Sequence, residues 1–312
     1  TLLEEVVVTG IRQSLAASAD IKRDSQGVVD AITAEDMGKF PDSNLAESLQ
    51  RITGVSIDRV GGEGSRVTVR GFGGDFNLVT LNGRQMPTAN LEINSASAKR
   101  SFDFATLSSD SITAVEVYKT GKANLLSGGI GSTINIKTLR PLDKPGLTAT
   151  IAANGLHDTT VEEGDDVTPE LSGIYSNSFF DDTVGIAVSG SYSERDYRLV
   201  EGTTPNGWNT AIADGTEFPG FTNAPGAGDV YGIAQNFNYG LVDVERDRTN
   251  YQLTLQWEPI ESLRATLDYT YSELELEVDR QELSAWFVGG GNAVSGEWVG
   301  KPGGVYAPLL YV

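Results

Sequence analysis

The stretch "TVGIAVSGSYSER" (183–195) decides the fold class, because its side chains alternate in character along its whole length. Its residues divide between two faces: Val184, Ile186, Val188 and Tyr192 share one, and Gly185, Ala187, Ser189, Ser191 and Ser193 share the other. A period of two with β-branched residues on one side predicts a β-strand with one apolar face. Two interpretations follow: a soluble sandwich or barrel with that face inward, or a membrane barrel with that face toward lipid.

The same alternation recurs on both sides of this stretch. It is strong in "NYQLTLQW" (250–257) and "LRATLDYTYS" (263–272), and weaker in "LTATIAANG" (147–155) and "LSGIYSNSF" (171–179). Together these segments predict at least five antiparallel strands after Gly146.

The links between these strands favour the membrane barrel. In chain order they are "LHDTTVEEGDDVTPE" (156–170), "FDD" (180–182), a stretch from about 197 to 247, and "PIE" (259–261). Short turns at one end and long loops at the other are typical of outer-membrane barrels. Four aromatic residues on apolar faces also suit the aromatic girdles of such barrels: Tyr175, Trp257, Tyr269 and Tyr271.

The chain before "TLRPLDKPG" (138–146) has a different character, with mixed helix and strand signals. "SNLAESLQRIT" (43–53) predicts a helix, with Ser43 or Asn44 as its cap. Short strands are predicted at "VSIDRV", "RVTVRGF", "NLVTLNGR", "ITAVEVYK" and "STINIKT". These signals predict an α+β domain of about 130 residues, an ordinary size for one core.

Composition excludes several classes of function. The 312 residues carry a formal charge of -20 with no cysteine and one histidine, His157. The acidic balance argues against a nucleic-acid partner, and the missing thiols and single histidine argue against thiolate or histidine-centred sites. We therefore expect no enzyme, no cofactor and no metal. "EEGDD" (162–166) offers carboxylates to calcium, although acidic runs are usually solvated loops.

The sequence shows neither the pattern of a membrane helix nor that of a leader peptide. No run approaches the roughly 18 apolar residues of a membrane helix. No basic segment followed by an apolar core stands at the start, so we expect any export signal to have been removed or never to have been present.

Four motifs stand in a recognisable order. They are "EEVVVTG" (4–10), "NLAESLQRITGVSIDR" (44–59), "VTVRGFGGDFNLVTLNGRQMP" (67–87) and "AVEVYKTGKANLLSGGIGSTINIKT" (114–138). With them the chain resembles the TonB-dependent outer-membrane receptors and transporters. "KFPDSNLAESLQRITGVSIDR" (39–59) resembles the branch of that family linked to oligosaccharide uptake.

The resemblance implies an α+β plug domain followed by the first antiparallel strands of a transmembrane β-barrel that is incomplete in this chain. It divides the chain into a TonB box and N-terminal segment (1–12), a plug domain (13–140) and about five or six strands of a 22-stranded barrel (141–312). Because so few strands leave an open edge in lipid, we expect the chain to be an N-terminal fragment of a longer transporter.

The resemblance also implies function, location and partners. It indicates active transport across the bacterial outer membrane, with the plug and N-terminus reachable from the periplasm. The expected partners are outer-membrane lipid, a small oligosaccharide or chelate, and TonB with its inner-membrane energising complex. TonB would pair with the backbone of seven residues by strand addition: Glu4, Glu5, Val6, Val7, Val8, Thr9 and Gly10. The alternative is that this strand joins the plug's own sheet.

Further site residues are implied by the same resemblance. Arg70 would latch the plug to glutamates on the barrel wall, and Lys119 stands where the family usually has a second latch arginine. The predicted substrate contacts are Glu63, Asp75, Phe76, Asn77, Asn90, Trp208, Phe221 and Tyr239. The aromatic residues could instead pack their loop onto itself. A soluble secreted carbohydrate-binding β-protein remains the alternative for the whole chain.

Overall fold

The computed structural model describes residues 15–33, 44–88, 90–92, 95–97, 99–110, 112–287, 296–300 and 304–309. They form two compact units. The first comprises the described residues up to Thr159, with Gly164–Asp196 and Glu245–Glu277. The second comprises Thr160–Glu163, Tyr197–Val244 and the described residues from Val278 onward.

An N-terminal α+β domain forms one part of the first unit. Its helices are residues 15–24 (α1) and Leu45–Leu49 (α2). Its strands are β1 (Val29–Thr33), β2 (Val55–Val60), β3 (Glu63–Val69), β4 (Asn77–Leu81), β5 (Arg84–Gln85), β6 (Asn90–Glu92), β7 (Ser95–Ser97), β8 (Ile112–Tyr118) and β9 (Ser132–Thr138). Five strands form one sheet in the order β1-β8-β9-β4-β5, while β2 pairs with β3 and β6 with β7. Single 3-10 turns cover Gly74–Phe76 and Phe104–Thr106.

Helix α2 packs its apolar residues into the core of this domain. Leu45 and Leu49 are fully buried there with Val115, Val117 and Ile134. Asn44 caps the helix, since its Oδ1 accepts a hydrogen bond from the Glu47 backbone N–H at 3.2 Å. The predicted helix is thus confirmed with Asn44 as its cap, although it ends at Leu49 and is shorter than the predicted 43–53.

A second sheet, here called the long-strand sheet, follows in the order β10-β11-β12-β15-β16. Its strands are β10 (Thr148–His157), β11 (Val167–Phe179), β12 (Val184–Thr203), β15 (Asn236–Ile260) and β16 (Leu263–Trp286). β10 and β11 pair antiparallel, as do β11 and β12. All five predicted strands and both short turns are present, but the predicted loop from 197 to 247 is wrong at both ends. β12 continues to Thr203, and β15 begins at Asn236.

The long-strand sheet buries its polar face. Along β15, Gln252, Thr254 and Gln256 are buried, whereas Tyr251 just before them and Trp257 just after them are 55% and 54% exposed. β12 behaves alike: Ala187 and Ser193 are buried, and Val188 is exposed. A soluble sandwich would show the reverse, because its apolar faces form the core. The sheet therefore turns small and polar side chains inward and leaves an apolar surface open.

The second unit contains a small sheet of four strands in the order β13-β14-β18-β17. Their bounds are β13 (Trp208–Ile212), β14 (Val230–Ala234), β17 (Trp298–Val299) and β18 (Val305–Pro308). Trp298 is buried against the ring of Phe218, with ring centroids 4.5 Å apart. Among the helices of the described residues, none is long and apolar enough to cross a membrane.

Candidate functional site

The N-terminal domain meets the long-strand sheet through polar contacts. Gln252 Nε2 donates to Thr138 Oγ1 at 2.8 Å, and the Leu142 backbone N–H donates to Gln256 Oε1 at 2.9 Å. From β16, Ser272 Oγ donates to the Thr106 carbonyl at 2.8 Å. These contacts explain why the inward face of the sheet is polar: it faces loops and strand ends of the domain, whose backbone groups need partners.

Glu63 forms the charged part of this contact. Its side chain is 3% exposed and lies against two arginines of β15. Arg246 Nη1 donates to Glu63 Oε2, and Arg248 Nη1 lies 3.4 Å from Glu63 Oε1. Glu63 was predicted to contact substrate, whereas the structure engages its carboxylate with the sheet.

The loop Phe72–Asn77 contains three of the other predicted substrate residues. Asn77 is buried, and its Nδ2 donates to the carbonyls of Val67, Phe72 and Gly73 at 2.9, 3.2 and 3.2 Å. Its Oδ1 accepts from Ser132 Oγ at 2.8 Å. The amide of Asn77 is therefore used within the domain, where it holds the loop in place.

Asp75 and Phe76 are open to solvent in the same loop. Asp75 Oδ1 accepts hydrogen bonds from the backbone N–H groups of Arg100 and Ser101 at 3.0 and 2.9 Å. Phe76 is half exposed and packs edge-to-face on Phe72, with ring centroids 6.2 Å apart. This aromatic pair offers an apolar contact surface beside an acidic group.

Arg70 has a backbone φ of 53°, and its Nη2 donates to the Gly131 carbonyl at 3.0 Å. This partner belongs to the N-terminal domain, so the role of Arg70 as a latch to a wall glutamate stays a prediction.

Lys119 lies inside the N-terminal domain. Its Nζ contacts Asp30 Oδ2 at 2.5 Å and donates to the Thr53 carbonyl at 2.6 Å. Lys22 of α1 contacts the other oxygen of Asp30 at 2.6 Å. The structure thus uses Lys119 to tie β1 to the turn after α2, a different contact from the predicted one with the wall.

Two carboxyl groups of this domain have displaced pKa values. Burial tends to raise the pKa of Asp30, but hydrogen bonds and charge from Lys119 and Lys22 outweigh it and lower that pKa below 3.8. Burial raises the pKa of Asp103, although the Ala105 N–H and the Ser65 hydroxyl donate to its carboxylate. The first carboxylate stabilises the domain through its charge, and the second carries a desolvation cost.

Three further predicted substrate residues belong to the second unit. Trp208 and Tyr239 are exposed, while Phe221 packs on Phe218 with ring centroids 6.2 Å apart. Phe221 therefore follows the alternative in which aromatic residues pack their own loop. Tyr239 lines a groove of about 510 Å³ whose walls are Gly202, Thr203, Thr204, Phe237, Asn238, Leu283 and Ala285.

The segment 4–10 lies outside the described residues, and Asn90 begins β6, of which the backbone alone is described. Across the described part of the chain, no group of three or more acidic or histidine side chains is arranged to hold a metal ion. His157 lies at the end of β10, where its Nδ1 is 2.9 Å from the Asp166 carbonyl.

Comparison with known proteins identifies the N-terminal domain. Residues 21–133 match the family model described as the TonB-dependent receptor plug domain. Over these residues the chain is similar to a TonB-dependent receptor plug domain. The match confirms the predicted plug, and the long-strand sheet beside it confirms the predicted fold class of a plug followed by antiparallel strands.

Curated relatives match about half of the chain. The vitamin B12 transporter BtuB of Vibrio cholerae serotype O1 (strain M66-2) is 31% identical over 156 residues, which cover 49% of this chain and 23% of the relative. BtuB of strain ATCC 39541 matches to the same extent. The chain thus spans about a quarter of the length of these relatives. The family and the relatives are described as receptors and transporters, in agreement with the expectation that the chain is not an enzyme.

Solved structures give weaker similarity. The siderophore receptor PirA from Acinetobacter baumannii aligns with a TM-score of 0.45 and 16% identity, covering 85% of this chain and 45% of that chain. The pyoverdine outer membrane receptor FpvA from Pseudomonas aeruginosa PAO1 aligns with a TM-score of 0.42 and 13% identity, covering 86% and 45%. No oligosaccharide is named in these descriptions, so the predicted oligosaccharide branch stays a prediction.

The sequence prediction missed the two arginines that meet the plug. Arg246 and Arg248 lie two residues apart and in phase with Gln252 and Thr254, so the alternation of β15 extended backward would have placed them on the inward face. The predicted loop up to residue 247 concealed this signal.

Proposed function

We propose that this chain is part of a TonB-dependent transporter that carries a substrate across the bacterial outer membrane. In this proposal the plug domain spans 13–140, the barrel strands begin within 141–312, and the plug and N-terminus are reachable from the periplasm. The transporter performs no covalent chemistry and has no cofactor.

The observation that carries the proposal is the inverted sheet beside a plug domain. The inward face of the long-strand sheet is polar and contacts the plug, while its outward face exposes Ile151, Leu267, Tyr269 and Trp257. Such a face is costly in water but suited to hydrocarbon, and a barrel wall leaves its polar face for the lumen.

Energy enters through TonB in this proposal. Residues 4–10 would add as a strand to the sheet of TonB, because backbone pairing tolerates a simple run of valines. The plug then rearranges to open a path for the substrate.

The proposed substrate is a small oligosaccharide, with a chelate as the competing class. Sugar rings present apolar C–H faces and hydroxyl edges, which aromatic rings beside amides and hydroxyls recognise. Tyr239 beside Asn238 and Thr203 in the groove provides this combination, and Phe76 on the plug offers a ring beside the carboxylate of Asp75. Trp208 adds a further exposed ring.

A proline substitution in the N-terminal segment tests energy coupling. Val7→Pro in the full-length transporter removes a backbone donor and blocks strand addition, so uptake should be lost while substrate binding to purified protein is kept. Val7→Thr is the matched control, since threonine pairs as a strand residue and should sustain uptake. Uptake by the proline variant at the control rate would refute coupling through residues 4–10.

A further inference from the structure

Glu63 stands where the plug hairpin β2–β3 approaches the long-strand sheet. It is the first residue of β3 and follows the turn at Gly61 and Gly62, both of which have positive φ. The hairpin therefore presents one carboxylate at its tip. That carboxylate is buried, and a buried charge is tolerated only with close partners of opposite charge.

Two wall arginines supply those partners. Arg246 and Arg248 are both buried, and they lie on the same face of β15 because they are two residues apart. A third, Arg195 of β12, has its Nη1 4.0 Å from Glu63 Oε2. The carboxylate is on the plug and the guanidinium groups are on the long-strand sheet. This arrangement is the reverse of the expected contact between Arg70 and glutamates of the barrel wall.

Arg248 joins the hairpin to two further parts of the molecule. Its Nη1 donates to the Ala105 carbonyl at 3.0 Å, and its Nε donates to Ser193 Oγ of β12 at 3.2 Å. Ala105 belongs to the 3-10 turn Phe104–Thr106, whose Thr106 carbonyl is held by Ser272 of β16. One guanidinium thus ties the hairpin, the 3-10 turn and two neighbouring wall strands together.

Burial of its charges makes this contact different from its neighbours. The contacts of Gln252 and Ser272 with the plug are neutral hydrogen bonds, which water can replace at small net cost, and the ion pair between Arg140 and Asp268 is more exposed, at 21% and 24% of the two side chains. Separating Glu63 from Arg246 and Arg248 leaves buried charges without partners until water reaches them. Opening the contact therefore requires water to enter the site, and this requirement resists separation of the hairpin from the sheet.

We propose that Glu63, through Arg246 and Arg248, is the residue that fixes the β2–β3 hairpin of the plug to the barrel wall, and that its release frees the hairpin during transport. The fixing contact follows from the structure, and the statement about transport rests on the proposed function. In this proposal Glu63 is a positioning residue.

Thiol labelling of the full-length transporter in detergent tests the contact without substrate or TonB. Residues 1–312 contain no cysteine, so Ala105→Cys introduces one thiol in this part of the chain, at a buried position against Arg248, and any cysteine in the rest of the full-length protein is first replaced by serine. In this background Glu63→Gln should raise the rate of reaction with N-ethylmaleimide about tenfold or more, because the opened contact exposes the turn. Asp58→Asn is the matched control: it removes an exposed carboxylate from the same hairpin and should leave the rate unchanged.

The outcomes separate this proposal from the transport proposal. Equal rates for Glu63→Gln and Asp58→Asn would overturn the contact while leaving energy coupling intact, and a failed Val7→Pro test would leave the labelling result standing. The double variant Glu63→Gln/Arg248→Gln should react no faster than the faster single variant, since both open one contact; multiplying effects would contradict it. If Glu63→Gln is not recovered folded, Arg248→Gln alone is compared with the control under the same criterion.

Discussion

At the scale of single residues, Asn77 shows how an exposed-looking motif position can be structural. The sequence placed it beside Asp75 and Phe76 as a substrate contact, yet its amide makes four hydrogen bonds within the plug. A polar residue type in a glycine-rich loop does not reveal which way its side chain points. That depends on the tertiary approach of Ser132 and Val67, which sequence spacing does not encode.

Asn77→Ala should therefore destabilise the plug without removing any exposed side chain. Three carbonyls and one hydroxyl would lose their partner, and we expect the free energy of plug unfolding to fall by about 3 kcal/mol. The urea dependence of thiol labelling at Ala105→Cys measures this loss. Asn124→Ala, at an exposed asparagine of the same domain, is the control and should change the midpoint little. A midpoint for Asn77→Ala equal to that of the control would show that the amide network contributes nothing.

The ion pair between Asp30 and Lys119 makes plug stability dependent on pH. Because the pKa of Asp30 is lower in the folded chain than the ordinary 3.8, its charge stabilises the fold above about pH 3.8. That stabilisation disappears as the pH falls through the folded pKa.

Asp30→Asn should lower the free energy of plug unfolding by about 2 kcal/mol at pH 7. The difference between the variant and the parent should shrink below about pH 3.8, where Asp30 of the unfolded parent becomes protonated before Asp30 of the folded parent does. Urea titrations of both proteins at a series of pH values measure the difference. A difference that stays constant down to pH 2.5 would exclude Asp30 as its source.

At the scale of elements, the strands of the plug were the most predictable. β2 and β9 begin and end at the predicted residues, because glycine or polar turns mark their ends. The sequence prediction missed the end of β12 and the start of β15. There the outward positions carry Glu194, Asp243, Glu245 and Asp247, so the apolar alternation stops although the strand continues. Backbone pairing alone can extend a strand beyond its apolar positions, and under the proposed function the hydrophobic pattern marks only the part of the strand that contacts lipid.

The outward face of β16 allows a direct test of lipid contact. Leu267 is 63% exposed, and an exposed leucine replaced by arginine in a soluble protein typically changes stability by at most about 0.5 kcal/mol. In a membrane-spanning strand Leu267→Arg should cost about 2–4 kcal/mol. The yield of folded full-length protein in the outer membrane measures the cost.

Glu275→Arg is the control for this substitution, on the same strand and in phase but beyond the apolar positions. Its yield should match that of the parent. Equal yields for both variants would favour the alternative of a soluble β-protein.

At the scale of the whole molecule, the open apolar surface governs behaviour in solution. The long-strand sheet ends at β10 and β16, and β16 has 24 residues that expose apolar side chains on one face. Long unpaired edges beside apolar faces drive association of chains.

Residues 1–312 expressed alone should aggregate in aqueous buffer and disperse in detergent. Analytical ultracentrifugation with and without detergent measures this difference. A monomer in plain buffer would support the soluble alternative and contradict the inverted sheet.

The segment that leads from the plug into the first long strand is bound to the long-strand sheet at its start. Arg140 contacts Asp268 of β16 through two parallel N–H···O bonds of 2.5 and 2.9 Å, and Leu142 is held by Gln256 of β15. A force applied at the amino end of the plug would thus act on a domain whose carboxyl end is bound to the long-strand sheet. In the proposed cycle the plug would unfold from its first strand or rotate about this contact, and it would remain in the lumen throughout. It would then refold while its carboxyl end stays bound to the long-strand sheet.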